Sequence, residues 1–390
     1  MGNTSIENIL VQLTIFFIPF GVFSVETGVV NISLPNLFII STIIYFSAFL
    51  CIKRELTLSK IQVLVFVLFC TALVTILITT FIQQGSPRRL ITYIGYLLVT
   101  TILFLYINSI SDAERVLRAA FLSAVAINAL TIIHSVTYPV GFPFGQAYLG
   151  QRTVVGVTVP FQRTLGLPNI TYGAFGMMSM VGTPYYLYKG IKNRCIITLF
   201  GVSLVLLGVL ITQSRSTWVA TSLAVFIVIS GYVLKETRKK TKIAYVLAIV
   251  IPAIALVPSS IKSLISIKSS TFSSRTEQYR IALELLQSNP VTGVGLSNVN
   301  QFYSAYAIHS GFLRIGAEAG AFAFLTVVTV WAISLLFVSK GVFLSSAHYT
   351  IRVGVIAGIG AMIIEANMVP GFGKAPWILL ATGLGIYSLN

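Results

Sequence analysis

The chain has 390 residues, of which 56% are hydrophobic and only 9% are charged, and its mean hydropathy is +0.91. This composition is typical of polytopic membrane proteins and excludes both a soluble domain and a disordered chain. The formal net charge of +16 does not indicate nucleic-acid binding, because most of the excess Lys and Arg lies in short loops between apolar segments. The three cysteines show no spacing typical of a metal site or a disulfide framework.

Twelve apolar segments are long enough to cross a membrane as helices, since a hydrocarbon core of about 30 Å needs roughly 20 apolar residues. The predicted spans lie near 8–27, 34–52, 61–82, 90–109, 115–135, 169–188, 195–212, 216–234, 243–259, 309–338, 350–369 and 375–390. There is no tandem repeat, low-complexity segment or separate soluble domain. The sequence therefore predicts an all-α polytopic protein that forms one integral membrane domain over 1–390.

More than half of the 26 Lys and Arg residues occur in one set of short loops, which predicts that this side is cytoplasmic. These residues are Lys53, Arg54, Lys60, Arg115, Arg118, Lys189, Lys192, Arg194, Lys235, Arg238, Lys239, Lys240, Lys242, Lys340 and Arg352. Both termini are then cytoplasmic, and the long loops at about 136–168 and 260–308 are extracytoplasmic. The first apolar run lacks a basic n-region and a cleavage site, so it is predicted to remain as a span.

The first long loop is rich in Gly, Pro and aromatic residues and contains Arg152 and Arg163. Aromatic faces beside polar groups suit sugar rings. A lid that packs on the helix bundle would use the same residues. Both interpretations of this loop stay open at the level of sequence.

The second long loop contains the most polar part of the chain. Ser274 and Glu277 form an S-x-x-E capping box, which predicts a helix start with Arg275 in its first turn. Such a helix end suits an anion like a diphosphate, because its N–H groups are unpaired and its dipole is positive there. Asn289 and Pro290 are predicted to end the helix, and Gly293 and Gly295 to form a flexible turn.

Two further side chains have the chemistry of a site. Arg215 lies at the outward turn between the seventh and eighth predicted spans, where a guanidinium is costly unless it is paired or hydrated. Snorkelling towards lipid phosphate is the alternative for Arg215, but the flanking serines favour a polar pocket. His309 opens an apolar run on the same side of the membrane, where an imidazole can act as a general base or orient a hydroxyl.

Other charged residues have evident alternatives to a role in a site. Arg280 is a candidate substrate-binding residue, although ion pairs with Glu277 and Glu284 on the same helix are the favoured interpretation. Glu365, near the outer end of its span, is a candidate to orient an arginine or to replace the base.

Five more charged residues complete the sequence-based assignments. Arg314 and Glu318 can pair with each other across one helical turn, and Glu318 faces away from His309. Glu26 lies on the first predicted span in a position similar to that of Glu365. The outward pair Arg88 and Arg89 is typical of a lipid headgroup contact. Gly316 and Gly320 have the spacing of a close helix contact.

Several familiar signals are missing from the sequence. There is no P-loop and no cluster of carboxylate, His or Cys residues, so neither a cofactor nor a metal site is predicted. Positive side chains would then have to stabilise a departing phosphate.

Two blocks of the sequence, SRTEQYRIALELLQSNPVTGVGLSNV and HSGFLRIGAEAG, combine an arginine-led helix, a Pro-x-x-Gly-x-Gly turn and a His-x-x-x-Leu motif. In this the chain resembles the O-antigen ligase and polymerase superfamily, the Wzy-C-type membrane glycosyltransferases. The segments TQSRSTW and RTLGLPNITYG are weaker matches to the same family. One departure is Ser310, where many members have Asn.

The resemblance implies a GT-C-type membrane protein that performs metal-independent, inverting glycosyl transfer. The donor would be a glycan on a polyprenyl diphosphate of the undecaprenyl type, and the acceptor a glycan or glycolipid hydroxyl at the outer face of the cell membrane. Arg215 and Arg275 would hold the diphosphate, His309 would activate the hydroxyl, and Arg163 would assist on the donor side.

Three activities remain open from the sequence. A ligase transfers the finished glycan to a different acceptor, and this label is preferred here. A polymerase would extend the glycan with the same residues. A transporter or flippase for lipid-linked sugars should have charges at mid-membrane and matched halves, whereas the candidate residues here gather at one face.

Overall fold

The computed structural model describes residues 5–20, 24–26, 31–53, 58–137, 153–154, 157–158, 172–236, 269–302, 308–344, 348–368 and 374–389. Within these ranges the structure is helical apart from two short antiparallel hairpins. The first hairpin pairs β1 (Ser24–Glu26) with β2 (Asn31–Ser33), and the second pairs β3 (Thr153–Val154) with β4 (Val157–Thr158). The all-α fold class is confirmed in this part of the chain.

The helices are numbered here in chain order. They are α1 (Ser5–Phe17), α2 (Leu34–Lys53), α3 (Lys60–Ile82), α4 (Pro87–Tyr106), α5 (Ile110–Val136), α6 (Tyr172–Ser179), α7 (Thr183–Asn193), α8 (Ile196–Ile211), α9 (Arg215–Glu236), α10 (Ser269–Ser288), α11 (Val299–Phe302), α12 (Gly311–Leu344), α13 (Tyr349–Ala366) and α14 (Ala375–Ser388).

Six helices in the described ranges are long and apolar enough to cross a membrane, namely α3, α4, α5, α9, α12 and α13. Four shorter apolar helices lie in α1, α2, α8 and α14. The chain is therefore a multi-pass membrane protein. The predicted span 243–259 lies outside the described residues, and the total of twelve spans stays a prediction.

Two predicted spans differ from the structure. The span predicted at 8–27 is wrong at its end, because α1 ends at Phe17 and Glu26 lies in β1, paired with Asn31. The span predicted at 169–188 is divided into α6 and α7. Gly182 lies at this break, where an added Cβ would be 2.3 Å from the carbonyl oxygen of Leu117. The close contact with α5 therefore depends on a glycine.

Helix α14 lies at the centre of the bundle. Every residue from Ala375 to Ile386 is buried, and Trp377 packs against Phe69 and Trp331. Gly385 lets α14 approach Ile107 closely, since an added Cβ would be 2.7 Å from that side chain. A helix enclosed in this way does not need a polar face, which explains its uniformly apolar sequence.

The Pro-x-x-Gly-x-Gly turn docks on a break in α12. The break is at Gly320, whose φ of 86° and ψ of 174° are non-helical. The N–H groups of Val294 and Gly295 donate to the carbonyls of Ala317 and Glu318, both at 2.9 Å. The turn is therefore fixed by main-chain hydrogen bonds, and the prediction of a flexible turn is wrong.

The glycines of this region are required by close backbone contact. A Cβ on Gly293 would lie 2.5 Å from the carbonyl carbon of Glu318, and one on Gly320 would lie 2.3 Å from the carbonyl oxygen of Val291. Gly320 therefore does not serve the helix–helix contact predicted from its spacing with Gly316. It makes room for the turn.

A buried charge cluster lies beside the docked turn. Arg314 Nε donates to Glu318 Oε1 at 2.8 Å, and Arg89 Nη1 donates to Glu318 Oε2 at 3.0 Å. Glu318 is fully buried and Arg314 nearly so. The predicted pairing of Arg314 with Glu318 is confirmed, whereas the prediction of a headgroup contact for Arg89 is wrong. The cluster connects α4 to the segment of α12 that follows His309.

We expect Glu318→Gln to lower the free energy of unfolding in detergent by about 3 kcal/mol, because it leaves two arginines without their shared counter-charge. The matched control is Glu284→Gln, which removes a carboxylate from the exposed ion pair with Arg280 on α10 and should have a small effect. Thermal or denaturant unfolding of the purified proteins measures both. Equal effects of the two substitutions would show that the Glu318 cluster does not stabilise the fold.

Candidate functional site

Four chain segments converge at one end of the bundle: the start of α9, the middle of α10, the turn before α12 and the end of α13. Together they form what we call the polar cluster. Its members are Arg215, Ser216, Thr217, Arg275, Gln278, Tyr279, His309, Ser310, Glu365, Asn367 and Met368. Hydrogen bonds join the end of α13 to each of the other three segments, and they also join α10 to the turn before α12. Residues far apart in sequence therefore share one site.

His309 is held by Gln278 through two contacts. The His309 main-chain N–H donates to Gln278 Oε1 at 3.1 Å, and His309 Nδ1 lies 2.9 Å from the same oxygen. The Gln278 side chain is buried, and its Nε2 is 3.4 Å from Ser274 Oγ. Imidazole and amide therefore have a defined relative orientation.

This geometry determines which ring nitrogen carries the proton. A main-chain N–H can only donate, so the Gln278 atom facing it must be the amide oxygen. That oxygen can only accept, so His309 Nδ1 must be the protonated nitrogen. In the neutral ring the lone pair then belongs to Nε2, the form that a general base needs.

The main chain around His309 is tied to the end of α13. Tyr279 Oη donates to the carbonyl of Asn367 at 2.9 Å and reaches the carbonyl of His309 at 3.4 Å. Ser310 Oγ lies 3.4 Å from Asn367 Oδ1. Ser310 therefore takes part in the site, although many relatives are expected to have Asn at this position.

Arg275 reaches the end of α13 from α10. Its Nη1 lies 2.7 Å from Met368 Sδ, and its charge acts on the carboxylate of Glu365. A thioether is a weak acceptor, so an anion would be a much stronger partner for this guanidinium.

The predicted helix start at Ser274 is wrong, because α10 begins at Ser269. Arg275 therefore lies inside the helix, where main-chain N–H groups are paired within the helix. The anion-site argument from a helix end does not apply to Arg275. Its guanidinium remains suited to an anion.

Glu365 is buried at the end of α13 and contacts the start of α9. Its Oε1 accepts hydrogen bonds from Thr217 Oγ1 at 3.0 Å and Ser216 Oγ at 3.3 Å. Its Oε2 is buried without a hydrogen-bond partner among the described residues. A buried carboxylate oxygen of this kind is costly without a partner, so the arrangement suits a ligand donor or an ordered water.

Arg215 is the first residue of α9, directly before the two residues that contact Glu365. Its Nε is buried and has no hydrogen-bond partner in the described part of the chain. An unpaired buried donor carries a desolvation cost of about 1–3 kcal/mol. A bound anion would remove that cost, so the burial of Arg215 favours the polar-pocket interpretation over snorkelling.

Arg280, another predicted site residue, makes no side-chain hydrogen bond with the polar cluster in the described part of the chain. Arg280 projects from the exposed side of α10, where Arg280 Nε donates to Glu277 Oε2 at 2.9 Å and a second hydrogen bond joins it to Glu284. The hydrogen bond from Arg280 lowers the pKa of Glu277. Arg280 thus makes the ion pairs within α10 that the sequence favoured over substrate binding. Arg163 lies outside the described residues.

The sequence analysis missed Gln278, Tyr279 and Asn367. Gln278 had one detectable signal: it lies three residues after Arg275 and four before the buried Ala282, so it places an amide on the apolar face of α10. Tyr279 and Asn367 had no such signal. Their pairing across 88 residues depends on how α10 packs beside α13.

Residues 200–328 match the family model described as O-antigen ligase. The matched segment is about a third of the chain. The match includes α9, α10 and the first half of α12, and therefore contains Arg215, Arg275, Arg280 and His309. The family recognised from the sequence is thus confirmed. No curated protein matches the chain.

A glycine of α6 lies directly beside the polar cluster. An added Cβ on Gly176 would lie 2.8 Å from Thr217 Oγ1 and 3.1 Å from Glu365 Oε1. We expect Gly176→Ala to displace these side chains and to lower the free energy of unfolding by about 1–3 kcal/mol. Thermal unfolding in detergent measures the effect.

The matched control for Gly176→Ala is Gly95→Ala in α4, where an added Cβ meets nothing within 4 Å. This control should be neutral or slightly stabilising, because alanine favours the helix over glycine. If Gly176→Ala and Gly95→Ala change the free energy of unfolding equally, the close approach of α6 to Thr217 and Glu365 does not require a glycine at position 176.

Proposed function

We propose that the protein is a metal-independent, inverting glycosyltransferase of the O-antigen ligase type. It transfers a glycan from a polyprenyl diphosphate, of the undecaprenyl type, to an acceptor hydroxyl at the outer face of the membrane. The observation that carries this proposal is the polar cluster, which combines a histidine in the tautomer of a base with two arginines suited to a diphosphate.

In the proposed reaction, His309 Nε2 accepts the proton of the acceptor hydroxyl. The hydroxyl oxygen attacks the anomeric carbon from the side opposite the diphosphate, and a new glycosidic bond forms with inversion. The bond between the anomeric carbon and the diphosphate oxygen breaks, and its electron pair leaves with the polyprenyl diphosphate. Arg215 and Arg275 stabilise the negative charge on this leaving group.

Glu365 lies between the two arginine segments and contributes to the proposed site in a different way. Its carboxylate balances the charge of Arg275 before the donor binds. It also positions Ser216 and Thr217, which adjoin Arg215. Arg163 is proposed to assist on the donor side. Arg280 remains a candidate substrate-binding residue. It would first have to give up its ion pairs with Glu277 and Glu284.

The proposed architecture is a GT-C-type fold with about twelve spans in one integral membrane domain over 1–390. The extracytoplasmic loops lie at about 136–168 and 260–308, and both termini are cytoplasmic. The location is the inner or plasma membrane. The positive charge of the short loops supports this orientation.

The direct test compares the wild type with His309→Ala in nanodiscs, with EDTA present. Each protein receives a polyprenyl-diphosphate oligosaccharide and candidate acceptors, and glycan products and released polyprenyl diphosphate are measured. We expect transfer by the wild type and a loss of about 100-fold or more in His309→Ala, as is typical for removal of a general base. Equal rates in both proteins would exclude His309 as the base.

The choice of acceptor separates the related activities. Transfer to a glycolipid core supports a ligase, and extension of a lipid-linked repeat unit supports a polymerase. Movement of the lipid-linked sugar across a vesicle without any transfer would overturn the enzyme proposal in favour of a transporter.

The arginine roles are tested with Arg215→Gln and Arg275→Gln in the same assay. We expect each substitution to lower kcat/KM for the diphosphate donor by about 10- to 100-fold, since a charge-assisted hydrogen bond contributes about 1.5–3 kcal/mol. The matched control is Lys340→Gln, which removes an exposed positive charge near the other end of α12. A similar loss in all three variants would indicate a general effect of charge and not a diphosphate site.

A further inference from the structure

We propose that Gln278 is a positioning residue that keeps His309 in the Nδ1-protonated tautomer before the acceptor binds. This inference rests on the proposed function, because it assigns a role to Gln278 only if His309 acts as the base. It concerns a residue that neither the family motif nor the sequence pattern assigns to catalysis.

The first argument is the shared acceptor. Gln278 Oε1 accepts from the main-chain N–H of His309 and from Nδ1 of its ring. The main-chain contact holds the amide oxygen in place whatever the ring does. If the amide rotated by 180°, its NH2 group would face the main-chain N–H of His309, and two donors would then lie against each other. The amide oxygen therefore stays towards Nδ1, and the tautomer with an unprotonated Nδ1 is disfavoured.

The second argument is burial. Gln278 is 2% exposed, so water cannot easily replace its contact with His309. A buried amide that lost its partners would carry an unfavourable desolvation term. The pairing is therefore stable over the reaction, and the ring keeps one orientation.

The third argument is the charge of the partner. Catalytic histidines often have a carboxylate at Nδ1, which favours the imidazolium form. An amide oxygen orients the ring in the same way without that charge. When Nε2 takes the proton from the acceptor hydroxyl, Nδ1–H continues to donate to Gln278, so the ring need not turn between the two states.

Charged and titratable groups lie on the segments of the polar cluster and on the neighbouring helices. They are Arg275 and Tyr279 on α10, Arg314 and Glu318 on α12, Glu365 on α13, Arg215 on α9 and Lys374 before α14. Arg314 is paired with Glu318, and Glu365 accepts hydrogen bonds from Ser216 and Thr217 on α9. The contact at Nδ1 itself is made by the neutral amide of Gln278.

The experiment uses the full-length protein in nanodiscs with Gln278→Glu and Gln278→Met, and it measures the pH dependence of transfer. In Gln278→Glu the added carboxylate stabilises the imidazolium, so the acidic limb of the kcat profile should move to higher pH by about 1 unit. In Gln278→Met the acceptor is lost, and kcat should fall by about 10-fold or more with KM for the donor unchanged.

The matched controls are Gln287→Glu and Gln287→Met, which make the same changes on the exposed side of α10. Both controls should keep the wild-type profile. A Gln278→Glu profile that coincides with that of an active wild type would overturn the proposal and leave the transferase function intact. A purely structural role predicts lower yield or stability without any movement of the pH profile.

A second measurement does not depend on activity. The 15N NMR shifts of histidine-labelled protein report which ring nitrogen is protonated, and His309→Asn identifies the signals of His309 among the three histidines. We expect the Nδ1–H tautomer in the wild type and an increase in the Nε2–H tautomer in Gln278→Met. The Nε2–H tautomer in the wild type would overturn the role of Gln278, whether or not glycan transfer is found.

Discussion

The site depends on the main-chain contact between the Pro290–Leu296 turn and the break in α12 at Gly320. The hydrogen bonds of this contact hold the end of α10 against α12. The Glu318 cluster joins the same part of α12 to α4. Because α10 is fixed at this end, its earlier residues pass beside the turn that contains His309. The Gly-x-Gly motif thus shapes the backbone contact between this turn and α12.

Four segments then supply complementary chemistry. The turn before α12 brings the imidazole, α10 brings a guanidinium and an orienting amide, and the start of α9 meets the end of α13 through Glu365. Two atoms of this site, Arg215 Nε and Glu365 Oε2, are buried without a hydrogen-bond partner among the described residues. Buried polar groups normally have partners, so their presence at one place indicates a region built for a polar ligand.

The sequence was most informative where a residue type has few alternative uses. An arginine at a membrane boundary and a histidine before an apolar span are both uncommon, and both lie in the polar cluster. The predictions were wrong where they depended on local patterns, as with the capping box at Ser274. That motif is only four residues long, and helical residues before it allow α10 to start at Ser269. Tertiary packing overrides such short signals.

The sequence by itself determined the membrane class, the helical fold, the family and the charged and titratable side chains to which the proposal assigns roles. Composition and hydrophobic length carry that information, because each span must satisfy its own backbone hydrogen bonds in lipid. Only the tertiary structure decided which of those side chains meet. The Gln278–His309 contact and the Arg89–Glu318 pair join residues 31 and 229 positions apart. No local pattern encodes such pairs, since they arise only when the helices pack.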